Sequence, residues 1–214
     1  MSGGVKSNKG SHLKFKKRFS LYYVLTSLYG MRKQIFITFA PWALVTTFEK
    51  SVTYIANLMI IGSIIGIFLQ PYVGKVIDKY GEKLVLSFEA FVFIFVCLLY
   101  GFSPDIFGKK VAVMVISICY ILDQTLMSLG IARATYIKKI ATDKEEISNT
   151  LSLGLSIDHV FAISVAMLGG FMWNNLGYKF VFIMGAFISL LNYLAARKIK
   201  LEDGFVGELV EENN

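Results

Sequence analysis

Residues 74–83 read GKVIDKYGEK, and Lys75, Asp78, Lys79, Glu82 and Lys83 put five charges into ten positions. On either side the chain is apolar, over 52–73 and again over 84–103. Runs of about 20 residues, at about 1.5 Å per residue in a helix, match a hydrocarbon core roughly 30 Å thick. A short charged segment between two such runs is what stays at the surface when both cross a bilayer.

The alternation continues outward. Six apolar runs are expected as spans, near 21–48, 52–73, 84–103, 111–132, 151–173 and 178–196. The first is too long for a straight crossing and is expected to tilt, with Pro41 kinking its outer part. Of 214 residues, 55% are hydrophobic, and the mean hydropathy is +0.59. That composition is richer in apolar residues than a soluble domain. The fold class is an all-α membrane protein. A soluble enzyme conflicts with the apolar runs, and no catalytic constellation is present. Zinc-type spacing and phosphate-cradling glycine loops are absent, so neither metal nor cofactor is expected. Cys97 and Cys119 each lie inside an apolar run and read as inert buried thiols.

Lys and Arg sort by loop parity. One side carries Lys6, Lys9, Lys14, Lys16, Lys17, Arg18, Lys75, Lys79, Lys83, Arg133, Lys138, Lys139, Lys144, Arg197, Lys198 and Lys200; the other carries Lys50, Lys109, Lys110 and Lys179. This asymmetry predicts an integral protein of the cytoplasmic (plasma) membrane with both termini in the cytoplasm. It also accounts for the net charge of +7 without a nucleic-acid partner. Residues 1–20 read as a basic cytoplasmic tail or linker, 21–198 as the membrane domain and 199–214 as an acidic cytoplasmic tail. Tyr22 and Tyr23 at the inner edge, with Trp42 and Trp173 at the outer, are expected as aromatic belts.

The 74–83 segment resembles the signature loop of the major facilitator superfamily. Gly74, Asp78, Lys79, Gly81 and Lys83 match its pattern, and Glu82 departs from it where a basic residue is usual. The stretch GGFMWNNLGY, 169–178, is similar to the last helices of bacterial members, and LYGMRKQIFITFAPW, 28–42, to the first helix of their second half. The resemblance covers roughly residues 14–200. It implies six transmembrane helices arranged as two inverted three-helix repeats, one half of a normally twelve-helix transporter, the C-terminal half in preference to the N-terminal one. It also implies that the Gly74–Lys83 loop latches two halves together on the cytoplasmic side; read without the family, the segment is simply a positive-inside turn. Gly62 with Gly66, and Gly169 with Gly170, are expected to allow close helix packing.

Charges inside the runs are the candidate site. Arg32 lies about 16 Å into the first run and Asp123 about 18 Å into the fourth, at about 1.5 Å per residue. A charge at mid-membrane is costly and should face protein or a wet cavity. One arrangement pairs Asp123 with Arg32 or Lys33. Adjacent residues point about 100° apart on a helix. Lys33 shares a polar stripe with Tyr22, Thr26 and Tyr29, whereas Arg32 shares a packing face with Leu25, Leu28 and Phe36. One cation is therefore expected to hold structure and the other to meet solute. In the family's repeats, the first helix of each triple lines the pathway. Runs one and four hold that place and carry Arg32, Lys33, Gln34, Asp123 and Gln124. Asp158 and His159 in run five form a further polar pair, a possible proton relay or a packing contact. Glu89 is expected to be structural and to answer loop lysines; Arg133 is expected to snorkel or to contact that same loop.

Two functions fit. One is secondary active transport of a small solute by alternating access, with proton coupling through Asp123, Asp158 or His159 as one form of it. The other is a non-transporting membrane scaffold or regulatory subunit, which needs no charge at mid-membrane. A transporter would need a second six-helix half, whether sequence beyond this chain, a separate chain, or another copy. In a homodimer Asp78 would approach 148–150 of its partner.

Overall fold

The computed structural model describes residues 15–199. The expectations for most of the two tails, residues 1–14 and 200–214, lie outside the described residues. Every element among the described residues is helical. A 3-10 turn, Lys17–Phe19, leads into α1, Ser20–Thr46. A helical run from Val52 to Leu126 changes direction at Gly81 (φ 76°, ψ 158°) and Gly108 (φ 72°, ψ 161°), which divides it into α2 (52–80), α3 (82–107) and α4 (109–126). The 3-10 turn Met127–Gly130 joins α4 to α5, Ile131–Ile140. Then come α6, Lys144–Leu176, and α7, Tyr178–Ala196.

Val52–Ile140, Lys144–Leu176 and Tyr178–Ala196 are long and apolar enough to cross a membrane. The first comprises 89 residues, which as one straight rod would reach about 130 Å, far beyond a hydrocarbon core of about 30 Å. The two glycine breaks resolve this by folding the run back on itself. α1 is long enough but falls outside that set, because Arg32, Lys33 and Gln34 dilute its hydropathy.

The segment Gly74–Lys83 was expected as a loop. Instead α2 continues through Tyr80, and the reversal is confined to Gly81. No helix breaker stands between 75 and 80, and Val73 and Ile77 still bury one face of the helix. Gly81, Gly108 and Gly177 (φ 93°, ψ 165°) share a backbone region essentially closed to residues with a Cβ.

Contacts fix the relative directions of the helices. Arg32 meets Glu89, Phe36 meets Phe93 and Tyr100 meets Ala40, so α1 and α3 run parallel. Gly154 lies against Tyr22, Asp158 against Gly30 and Gly169 against Phe39, so α1 and α6 are parallel as well. On α7, Phe182 meets Tyr100 and Tyr193 meets Phe91, which makes α7 antiparallel to α3. Tyr54 bonds Ser117 at 2.7 Å and Gly62 abuts Gln124, so α2 and α4 are parallel. The core centres on Phe36, whose ring meets those of Phe93, Tyr100 and Phe182 at 5.6, 5.5 and 5.9 Å.

Ion pairs tie the two ends of the bundle. At one end Lys16 (2.7 Å) and Arg18 bind Glu146, and Lys139 binds Glu82 at 2.8 Å. At the other, Lys109 binds Glu49 and Lys179 binds Asp105, at 2.7 and 2.6 Å. In the loop between α1 and α2, hydrogen bonding from Lys109 holds the Glu49 carboxyl below its usual range.

Three expectations about packing are corrected. Gly62 is packed against Gln124, but a Cβ on Gly66 would meet nothing within 4 Å; likewise Gly169 is filled by Phe39 while Gly170 is open. Each pair therefore supplies one close approach, because the second glycine faces away from the neighbouring helix. Tyr22 and Tyr23 are buried, not placed in a headgroup belt: they sit on the face of α1 that packs inward. Trp42 is exposed, whereas Trp173 stacks on Phe39 at 5.9 Å. Cys97 and Cys119 are buried and free.

Substituting alanine for Gly81, Gly108 or Gly177 is expected to cost about 1–3 kcal/mol each. Gly66→Ala and Gly74→Ala, with negative φ and open space around them, are expected to be neutral in the monomer. Thermal unfolding of the detergent-solubilised protein separates the two groups.

Candidate functional site

The middle of α1 presents its two cations to different neighbours. The Arg32 side chain is fully buried. Its Nη2 donates to Glu89 Oε1 at 3.0 Å, and its Cζ lies 3.5 Å from the centre of the Phe93 ring. The other carboxylate oxygen of Glu89, Oε2, accepts from Arg133 Nη1 at 3.4 Å. Arg133 covers the Tyr29 ring at 3.4 Å, and Gly130 leaves room for its guanidinium. One glutamate on α3 thus joins α1 to α5. Asp123 on α4 is buried, and it interacts electrostatically with Arg32 and Glu89.

The expected pairing of Asp123 with Arg32 or Lys33 is therefore corrected. The residue hydrogen-bonded to Arg32 is Glu89, and that bonded to Lys33 is Asp158. The arrangement has a physical reason. α1 packs parallel to α3 and α6, so acids on those two helices reach its central turn from either side. Glu89 accordingly answers buried arginines and not loop lysines, and Arg133 joins it instead of snorkelling. At the end of the bundle lysines are answered by other acids, Lys139 by the buried Glu82 and Lys16 by Glu146.

The second pair is different in character. Lys33 Nζ donates to Asp158 Oδ2 at 2.7 Å, with 21% of the lysine side chain exposed and 5% of the aspartate's. Asp158 Oδ1 is buried without a hydrogen-bond partner. It rests against Gly30, where an added Cβ would lie 2.0 Å from it. The fit is reciprocal: Gly154, one turn before Asp158, accommodates the Tyr22 hydroxyl, which an added Cβ would approach to 2.7 Å. Two glycines, one on each helix, thus let α1 and α6 close on each other's polar side chains.

Tyr29 is half-buried among three cations, with Arg32 and Lys33 at 5.0 and 5.5 Å from its ring centre in addition to Arg133. Gln34 is half-buried and donates to Thr38 at 2.8 Å. Gln124 is half-buried beside Gly62, and His159 is exposed. Gly74, Asp78, Lys79 and Lys83 are all exposed at one end of the bundle, while Gly81 forms the turn. Among the described residues no group of three or more His, Cys, Asp or Glu is placed to hold a metal.

A parallel packing of helices around charges at the middle of α1, with a glycine reversal after a basic helix end, is the setting in which the 74–83 pattern acquires meaning. The Major Facilitator Superfamily model matches residues 22–207. The chain belongs to this superfamily. It is accordingly an integral membrane protein whose role is the transport of a solute, in a family that is generally not enzymatic. No curated protein and no solved structure matches it. In this superfamily member, the residues missed from sequence are Glu89 as the partner of Arg32, Arg133 as the second cation on Glu89, and Gly30 and Gly154 as the seats of the α1–α6 contact. Their signal is faint: an acid eight residues past the Gly81 break, and a glycine three or four residues before each member of the Lys33–Asp158 pair.

Removing one partner of a buried ion pair costs about 3–5 kcal/mol. Glu89→Gln strands two arginines and is expected to fall in that range. Gly30→Ala is expected to force Asp158 aside and to open the Lys33 pair while α3 and α5 stay in place. Unfolding in detergent, with cysteine crosslinking between α1 and α6, reads both effects.

Proposed function

We propose that this chain is one six-helix half of a secondary transporter that works by alternating access and couples solute movement to protons. The observation that carries the reading is the contrast at the middle of α1. Arg32 is sealed and tied to Glu89, whereas the adjacent Lys33 is partly open to solvent and tied to Asp158 alone. A structural lock and a reachable, exchangeable ion pair stand side by side.

Six passes are supported by the relative helix directions, with α4 and α5 forming one pass through their short 3-10 link. Inverted three-helix repeats would make α1 and α4 equivalent pathway helices. Of their charges, Lys33 is partly open, whereas Arg32 and Asp123 are buried. The cation-rich end, with Lys16, Arg18, Lys79, Lys83, Lys139 and Arg197, would face the cytoplasm of a plasma membrane, and both termini with it. Asp158 is the proton carrier: Lys33 and Tyr22 from α1 act on it, and His159 follows it on α6. The second half would cover α2 and α6, which expose Ile60, Ile64, Phe68, Val160, Met167 and Phe171. Asp78, exposed at the end of α2, is then free to latch onto that half.

A cysteine at position 33, in a background lacking Cys97 and Cys119, is expected to react with a membrane-impermeant thiol reagent in one conformation. A cysteine at position 32 is expected to be protected. In proteoliposomes holding both halves, Asp158→Asn is expected to abolish the stimulation of uptake by a proton gradient while exchange of solute continues. A position 33 closed to reagent from both faces, together with gradient-driven uptake by Asp158→Asn equal to that of the parent, sinks the proposal.

A further inference from the structure

The transport reading leaves the solute open. Resting on that reading, we propose that Lys33 docks the carboxylate of a small monovalent organic anion, and that Asp158 is the counter-ion this solute displaces. Of the three cations around Tyr29, Arg32 and Arg133 share Glu89 and are buried. Lys33 is the one with solvent access. A solute entering from the open side therefore meets the ammonium first. Asp158 lies behind it, and its unpartnered Oδ1 is sealed against Gly30. A cationic solute has no route to that oxygen, whereas an anion has one to Lys33.

Charge counting sets the valence. Lys33 and Asp158 sum to zero. A monovalent anion on Lys33 together with one proton on Asp158 also sums to zero, so the loaded site crosses the membrane without net charge. A dianion would leave one negative charge unmatched in low dielectric, which is costly. The ammonium is a compact charge with three rotatable donors, suited to exchanging one carboxylate for another. Tyr29 flanks it with an aromatic face.

The test is equilibrium binding to the purified full chain in detergent, with radiolabelled acetate, pyruvate and benzoate as monovalent probes. Succinate and choline serve as the dianion and cation. Saturable binding of at least one monocarboxylate is expected, with succinate and choline unbound. Lys33→Gln is expected to weaken that binding at least tenfold. Asp158→Asn, which removes the competing carboxylate, is expected to strengthen it. The double variant K33Q/D158N carries neither charge, so it keeps the comparison readable where a single variant does not fold, and it is expected to bind none of the probes. Binding of choline lost in Asp158→Asn, a preference for succinate, no saturable monocarboxylate binding, or monocarboxylate binding indifferent to Lys33→Gln overturns the inference. Uptake of a neutral or cationic solute by proteoliposomes would overturn it while leaving the transport reading intact. Carboxylate binding without any flux would do the reverse.

Discussion

A guanidinium enclosed by apolar helices has to be matched by an acid, and Arg32 imposes that demand at the centre of α1. In a low-dielectric interior an unpaired charge is far more costly than a paired one is stabilising. The pair therefore acts less as a source of stability than as a rule about which helices can be neighbours. Glu89 on α3 satisfies Arg32 and, with its other oxygen, Arg133 on α5. The consequence is a fixed register among α1, α3 and α5. The aromatic cluster around Phe36 lies one turn further along α1, and Phe93 links the two layers: its ring touches both Phe36 and the Arg32 guanidinium. Sliding α1 by a turn would break ring packing and ion pairing together.

Lys33 follows from that constraint. Once Arg32 points toward α3, the next residue is rotated by about 100° and faces α6. Its ion pair is simpler, one cation and one acid, and the seat of the acid is shaped by glycine instead of by a second cation. A site meant to open needs a partner that can be surrendered without stranding other charges. Asp158 meets that condition and Glu89 does not. A membrane scaffold has use for the first kind of pair but none for the second, which tips the balance toward transport.

The all-helical membrane class was legible in sequence because apolar run length is read directly from the order of residues. Helix ends were less legible. The stretch 75–80 looks like a loop by charge, yet nothing in it breaks a helix, and only the positive φ at Gly81 marks the turn. The site was legible by residue and not by partner. Arg32, Lys33, Asp123 and Asp158 stand out as charges in apolar runs, but which acid meets which cation depends on helix direction and neighbour order. These are properties of the assembled bundle. Glu89 reads in sequence as a structural acid answering loop lysines; the parallel packing of α1 and α3 carries it to Arg32 instead.

The remaining asymmetry lies in how well each helix is covered. α1, α3 and α7 bury long apolar faces against one another, whereas α2 and α6 leave theirs largely open. The open glycines Gly66, Gly74 and Gly170 lie on those same two helices, where a missing Cβ serves no contact within the chain. Small residues facing outward suit close approach by another helical surface. His159, exposed one position beyond the buried Asp158, sits on that uncovered helix as well. The accessible side of the Lys33 pair and the uncovered faces of α2 and α6 contrast with the middle of the bundle, where Arg32, Lys33 and Arg133 each meet an acid of the same chain.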